Sequence, residues 1–358
     1  MEELNKKMKS ELVLLPPANM TFWTEDQNQT SDSRCIFDNE DWTYTVVPVY
    51  ILVISLLGIV LNVFVLLVFC LHKKSCSTPE IYLSNLAAAD FFLVSILLLH
   101  AVSLSNRHNW TFGQAMCKVS YMSIIMNSFC SIYFLVLVSI DRFLALVHPL
   151  SYKRIRRSIF AKLGCLLVWI LGFLFTLPAL IYRELLQHNN RTLCSISNLS
   201  FTTKMTVSSV NSVVRFIIPV FIISFCTIKN IKALKNRLVH GVNAKKTDQK
   251  ATTLILAVLL AFLICWVPFH LIRFLYLLHD AEIITECKTL RILYICGQIF
   301  TYLAYFNSVL NPILYVVVGK NFRQKVKELF SQWNHERITT VSHTSTSTNL
   351  SRVVNHII

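Results

Sequence analysis

The sequence predicts an all-α membrane protein, a seven-transmembrane helix bundle followed by a short amphipathic eighth helix. Three observations predict it. Hydrophobic residues make up 54% of the chain and charged residues 15%, where soluble domains carry about a quarter charged. The apolar residues fall into seven blocks, each long enough for the roughly 20 helical residues that a hydrocarbon core about 30 Å thick requires. Every block also keeps a few polar residues, which suits a bundle with an interior better than seven separate anchors.

The blocks run Tyr44 to Leu71, Ile81 to Ser103, Gln114 to Val147, Phe160 to Tyr182, Thr206 to Asn230, Ala251 to Leu278 and Leu290 to Val318. Pro178, Pro219, Pro268 and Pro312 lie inside them. Prolines are tolerated there because neighbouring helices and waters satisfy the freed backbone groups. Residues 320–332 alternate Phe322, Val326, Leu329 and Phe330 with bases, the pattern of a helix lying on the inner leaflet. No apolar secretory stretch precedes the first block, so the first span is expected to insert itself.

Orientation follows from lysine and arginine near the span ends. Lys73 and Lys74 follow span 1, and Lys153, Arg154, Arg156 and Arg157 follow span 3. Seven bases against Asp248 lie between Lys229 and Lys250, and Lys320, Arg323, Lys325 and Lys327 follow span 7. Residues 1–41 instead hold nine acids and four bases. The N-terminus is therefore expected outside and the C-terminus in the cytoplasm. Glycosylation triplets at Asn19, Asn28, Asn109, Asn190 and Asn198 all fall on segments this rule places outside. Four of the 11 cysteines, Cys35, Cys117, Cys194 and Cys287, are also outer. Four cysteines allow three pairings, in a compartment where disulfides persist.

Several function classes fall away. Seven glycines in 358 residues form neither a dinucleotide fingerprint nor a phosphate loop. HExxH and paired CxxC motifs are missing, and no catalytic grouping is readable. An enzyme is not expected, nor a cofactor. The net charge of +15 does not sit on a soluble surface with aromatics, as nucleic-acid binding would require.

Inside the spans, Asp90 interrupts the apolar run NLAAADFFLV, and Asp141-Arg142 end span 3. A charge in hydrocarbon is costly and faces an aqueous cavity or a partner. Asp141-Arg142 are equally consistent with ordinary interfacial charge. Asn62, Asn127, Ser131, Asn307 and Asn311 could converge on Asp90. Carboxylate, carbonyl and hydroxyl oxygens suit a small hard cation, so sodium is one expectation there and a hydrated polar network the other.

Asn62, NLAAAD ending at Asp90, DRF at 141–143, Trp169, Pro219, CWVP at 265–268 and NPILY at 311–315 together resemble the rhodopsin-like (class A) G-protein-coupled receptors. One motif lies in each of seven spans, in order, and the resemblance covers about residues 40 to 332. Beyond those motifs, LHKKSC, EIYLSNLAAAD, LVSIDRFLALV, FCT at 225–227, CWVPFH and YVVVGKNFRQKVKELF are similar to the bradykinin (kinin) receptors, themselves near the angiotensin receptors.

The resemblance implies a Cys117–Cys194 disulfide holding the second outer loop on span 3, and a Cys35–Cys287 disulfide pinning the tail to the third. It implies a peptide agonist among spans 2, 3, 5, 6 and 7 above Trp266, with His270 beside it. Its switch parts would be Trp266, Pro268, Tyr315 and Arg142 released from Asp141, with Leu150 inserting into the G protein. Signalling through heterotrimeric G protein, of the q class, to phospholipase C and calcium is implied as well. Nine serines and threonines between Thr339 and Ser351 would, once phosphorylated by receptor kinases, form an anionic strip suited to arrestin.

The chain also departs from that family. Kinin receptors carry two acids at the outer ends of spans 6 and 7, and the matching positions here are Tyr276 and Tyr294. A phenol offers a cation–π face but no carboxylate for a bidentate guanidinium pair. The pocket has gained bases instead: Arg215 four residues before Pro219, Arg273 five after Pro268, and Lys118 near them. PFHxxR at 268–273 also resembles nucleotide and acidic-lipid receptors. His100 stands where the family has Trp. Intramembrane arginines without an evident carboxylate partner want an anion, whether a peptide C-terminal carboxylate, an acidic side chain or an anionic small molecule; the lesser alternatives are that Arg273 snorkels outwards and that Arg215 bonds a backbone carbonyl.

The expected division is a glycosylated outer tail over 1–43, the receptor bundle over 44–319, the inner-leaflet helix over 320–332 and a Ser/Thr-rich tail over 333–358. The expected function is a plasma-membrane receptor for a kinin-type peptide. A receptor for another peptide or an anionic small molecule or lipid is the alternative, and a non-signalling scavenger of the same fold a lesser one. The missing span 7 lysine excludes a retinal Schiff base, and no repeated halves suggest a transporter.

Overall fold

The computed structural model describes residues 42–72, 76–149, 152, 158–188, 190–196, 200–239, 246–280, 283–284, 286–317, 319–320 and 322–333. Helices α1 (Trp42–Leu71), α2 (Thr78–Ser105), α3 (Gly113–Val147) and α4 (Ser158–Tyr182) form spans 1 to 4. Span 5 is composite: α5 (Phe201–Ser212), a π-helical turn over Val213–Ile217, and α6 (Ile218–Val239). Span 6 is α7 (Lys246–Asp280), span 7 is α8 (Cys287–Val317), and α9 covers 322–333. Among the described residues, seven helices are long and apolar enough to cross a membrane.

Several helices outrun their apolar blocks, because the hydrocarbon sets how many residues must be apolar and not where hydrogen bonding ends. Span 2 begins at Thr78, three residues before its apolar run. Pro79 suits the first helical turn, and Glu80 there accepts the Ser77 N–H at 2.7 Å.

Span 3 is the most buried span and spans 4 and 5 the least. Span 4 presents Leu163, Leu166, Leu167 and Ile170 outwards, which is favourable only against lipid. The inner core joins Phe129, Phe134, Phe262, Trp266 and Tyr315 from three spans. Small residues set the close approaches. A Cβ on Gly58 would lie 2.7 Å from Val94 Cγ1, so spans 1 and 2 pack at a distance that requires glycine.

Between spans 4 and 5 the chain forms an antiparallel hairpin, β1 (Arg183–His188) with β2 (Arg191–Ile196), pairing Leu185 with Cys194. The apolar count does not foresee this hairpin. Asn190 at its tip has φ 59°, a left-handed conformation that asparagine tolerates. Its backbone is tied down on both sides. Gln114 donates to the Arg183 carbonyl at 2.7 Å and accepts the Leu185 N–H at 2.9 Å. On the other strand Trp110 N–H donates to the Thr192 carbonyl at 2.7 Å, and Thr192 N–H to Asn109 Oδ1 at 2.9 Å.

The eighth helix is anchored by one end of its apolar face. Phe322 is buried and meets the rings of Phe64, Phe69 and Tyr315 at 6.0, 5.6 and 6.3 Å, while Phe330 and Trp333 point outwards. His72 Nε2 lies 3.0 Å from a Glu328 carboxylate oxygen.

Candidate ligand pocket and switch residues

In the outer half of the bundle a cavity of about 620 Å³ lies between spans 3, 5, 6 and 7. Span 6 contributes Trp266, Phe269, His270 and Arg273, and span 5 contributes Ser208, Asn211, Ser212 and Arg215. The π turn explains how span 5 presents Arg215. Pro219 has no N–H for the Arg215 carbonyl four residues earlier, and its ring crowds that carbonyl. The helix widens instead, and Ile218 N–H bonds the Val213 carbonyl five residues back. The Tyr133 hydroxyl donates to the Val214 carbonyl at 2.9 Å within the same turn.

A second cavity, about 550 Å³, is lined from spans 1, 2, 3 and 7 by His100, Tyr121, Gln298, Tyr302 and their neighbours. Thr301 and Tyr305 line both, so the two are adjoining lobes. His100 Nε2 lies 2.6 Å from the Ser120 hydroxyl, and its ring meets Tyr121 edge-on at 5.6 Å. Tyr302 hydroxyl donates to Gln298 Oε1 at 2.8 Å.

The hairpin adjoins the second lobe, where Cys194 is part of the lining. Cys117 and Cys194 form a disulfide, closing a long loop and thereby restricting the unfolded chain. Arg183, a residue that sequence reasoning passed over, is buried beneath the hairpin. Its guanidinium sits 3.4 Å above the Tyr121 ring centre and donates to the Cys194 carbonyl at 2.8 Å. His108 lines the same lobe from the turn after span 2. Burial, helped by nearby Arg191, pulls its imidazole down to about 4, because a charged ring is disfavoured away from water.

The structure brings together His100 in one lobe and Arg215, Trp266, His270 and Arg273 in the other. Lys118 is half-buried beside Cys117 and lines neither. Tyr276 and Tyr294 also line neither; both are buried, and Tyr276 packs with Ile272 and Leu293 between spans 6 and 7.

Deeper in the bundle Asp90 is fully buried. It accepts hydrogen bonds at 2.8 Å from Asn127 and Ser308 on Oδ1 and from Asn311 on Oδ2. Ser308 was not anticipated, being a common residue with no motif around it. Asn62 donates to the Gly58 and Ser308 carbonyls, both at 2.9 Å, so it serves the network without touching Asp90. Asn307 makes no bond to Asp90, and Ser131 falls short of hydrogen-bond geometry. Buried oxygens of Asn62, Ser131, Asn307 and Asn311 have no partner. A carboxylate amid orphaned oxygens fits a small hard cation.

At the inner end of span 3, Asp141 accepts the Tyr152 hydroxyl at 3.2 Å. No ion pair joins it to Arg142 among the described residues, and Arg142 Nε lacks a hydrogen-bond partner. Tyr315 is buried with its hydroxyl unbonded, and Pro268 lies inside span 6.

Leu150, Cys35, Asn19, Asn28, Asn198 and the Ser/Thr tail lie outside the described residues. Cys287 is disulfide-bonded. Asn190 is exposed at the hairpin tip, whereas Asn109 is half-buried.

The chain matches the family described as 7 transmembrane receptor (rhodopsin family) over residues 61–315. It is 42% identical to the human B2 bradykinin receptor over 293 residues, covering 81% of this chain and 75% of that one. The guinea-pig (Cavia porcellus) B2 bradykinin receptor is 39% identical over 319 residues, 87% of this chain and 86% of its own. The Macaca mulatta B1 bradykinin receptor is 33% identical over 340 residues, 90% and 96% respectively.

Proposed function

This chain belongs to the rhodopsin family of seven-transmembrane receptors, the class A G-protein-coupled receptors, and on that footing we propose that it is a cell-surface receptor for a bradykinin-type peptide. The supporting observation is a two-lobed outer pocket beside a disulfide-held hairpin, in a chain similar to B2 and B1 bradykinin receptors along most of its length. The multi-pass chain would lie in the plasma membrane, with its glycosylated N-terminus outside and its C-terminus inside, as the distribution of lysine and arginine favours.

Agonist in the pocket contacts Trp266, the aromatic floor of the span 5–span 6 lobe. It acts by binding the active arrangement more tightly and biasing an existing equilibrium. Pro268 supplies the weak point in span 6, since it withholds one backbone hydrogen bond. Tyr315 and Arg142 carry the change to the inner face, where Leu150 engages the G protein. The coupling is reciprocal, so bound G protein raises agonist affinity. A sodium ion at Asp90, among the orphaned oxygens nearby, would favour the resting state. G protein of the q class would pass the signal to phospholipase C and calcium. Receptor kinases and then arrestin would act on the Ser/Thr-rich tail, and lipids would surround the eighth helix.

The test is intracellular calcium in cells expressing the full chain, challenged with bradykinin and with bradykinin lacking its C-terminal arginine. A response at nanomolar concentration to either is expected. Silence to both, with surface expression verified, would sink the proposal.

A further inference from the structure

We propose that the lobe between spans 1, 2, 3 and 7 is a subsite for an uncharged aromatic amide, supplied by an aromatic residue of the ligand and its own peptide bond. The source of that group rests on the peptide reading above; the demand for an uncharged ring and an amide does not. Six rings line this lobe, those of His100, His108, Trp110, Tyr121, Tyr302 and Tyr305. Among the described residues, no Asp, Glu, Lys or Arg lines it. A charged group would be stripped of water there with no opposite charge in the wall to receive it. The Tyr121 face, which a cation would otherwise seek, is already covered by the Arg183 guanidinium at 3.4 Å.

The polar groups left over in the wall ask for an amide. The Tyr302 hydroxyl is occupied by Gln298, and His100 Nε2 by the Ser120 hydroxyl. Ser103 Oγ and the ring nitrogens of His108 make no hydrogen bond among the described residues, and both side chains line the lobe. Thr301, which lines both lobes, has a buried hydroxyl without a partner. Burial holds the His108 imidazole down to about 4, so at neutral pH it offers one N–H donor and one acceptor nitrogen. Two hydroxyls and a neutral imidazole want a donor and an acceptor without charge. A carboxamide carries N–H and C=O on one flat group. Water would satisfy the hydroxyls but has no face to lay against the rings; an aromatic amide does both.

The backbone supports the assignment. Arg107 and His108 have φ 52° and 66°, left-handed values that are unfavourable for residues other than glycine, and the His108 ring that this turn carries lines the lobe. That ring stands edge-on to Tyr44, with ring centres 5.7 Å apart. Elsewhere in the wall the His100 ring meets Trp110 at 5.8 Å and Tyr121 at 5.6 Å. The wall is thus set ring against ring before any ligand arrives, which suits a flat and rigid group. In a peptide, an aromatic side chain and the adjoining peptide bond supply ring and amide together.

Purified full-length receptor in nanodiscs tests this in two arms. Without peptide, benzamide, its cationic isostere benzamidine and the non-aromatic cyclohexanecarboxamide are compared by thermal midpoint. Each is used at about 10 mM, since so few atoms bind in the millimolar range. Benzamide is expected to raise the wild-type midpoint by a few degrees, and the other two by less than half as much. Ser103→Val and His108→Gln should each lose most of that gain, while Arg215→Gln, altered in the other lobe, should keep it. No benzamide effect on the wild type, an equal effect of benzamidine, or a gain that survives in both Ser103→Val and His108→Gln overturns the subsite. The comparison of compounds on the wild type decides the matter even where a variant fails to fold. In the second arm bradykinin binding is measured with each compound present. Benzamide is expected to weaken it at least twofold, and benzamidine to leave it unchanged. Bradykinin binding that benzamide does not weaken overturns the assignment to a residue of the peptide. No bradykinin binding at all, with the benzamide pattern intact, sinks the peptide reading and sustains the subsite.

Discussion

Lys325 Nζ, on the eighth helix, lies 3.0 Å from Glu80 Oε2 at the start of span 2, with both side chains almost wholly covered. The same carboxylate oxygen accepts the Ser77 N–H, so one group both starts a helix and fastens another to it. The Phe69 ring lies 5.9 Å from the ammonium and helps exclude water. A shielded pair costs more to break than a surface one, since the survivor is left unpaired. Glu80→Gln is expected to lower receptor stability by about 2 kcal/mol, read as a lower melting midpoint in nanodiscs. Glu80→Gln combined with Lys325→Met should recover part of the loss. An unchanged midpoint in Glu80→Gln would show the pair to be idle.

Arg183 makes a second prediction. Arg183→Gln removes the cation over Tyr121 and the donor to Cys194, and should cost about 2 kcal/mol. Arg183→Lys should rescue little, because an ammonium cannot stack flat on the ring while it bonds the carbonyl. Melting midpoints of the three proteins decide it; full rescue by lysine would refute the stacking argument.

His108 gives a pH dependence. Its folded value, about 4, lies below the ordinary 6.5 of a free imidazole. The unfolded chain therefore binds the proton more readily, and between pH 6.5 and 4 acidification favours unfolding. The group costs nothing above that window, and below it the loss levels off at no more than about 3 kcal/mol. His108→Gln should flatten this part of the stability–pH curve. Parallel curves for both proteins would contradict the burial of the ring.

Asp90 predicts a salt effect. Replacing choline chloride with sodium chloride should raise the wild-type melting midpoint. Asp90→Asn should abolish the difference, because the orphaned oxygens nearby lose the charge that offsets dehydration of the cation. A sodium effect that survives in Asp90→Asn would place the ion elsewhere.

Much of this architecture was legible in the amino acids because the membrane simplifies the problem. Hydrocarbon forces about 20 apolar residues per crossing, so span order is written in composition. Asp90 declared itself by standing in an apolar run, as did Arg215 and Arg273. What stayed hidden depends on pairing across the chain. Arg183 looks like one more loop base until Tyr121 and Cys194 meet it, and Ser308 is one serine among many until span 7 packs on span 2. The π turn could not be read from Pro219 alone, since a proline can also kink a helix without widening it. Tyr276 follows the same pattern: its position two turns beyond Pro268 does not reveal that it packs with Ile272 and Leu293.

The hairpin over the pocket carries a kinetic consequence. A disulfide, the Gln114 clamp and the Trp110 and Asn109 contacts already hold it in one shape. The entropy of arranging this rim is settled when the protein folds, so an arriving ligand meets a preorganised mouth and surrenders only its own freedom. Ligands that fit should accordingly be distinguished by how long they stay rather than by how quickly they arrive.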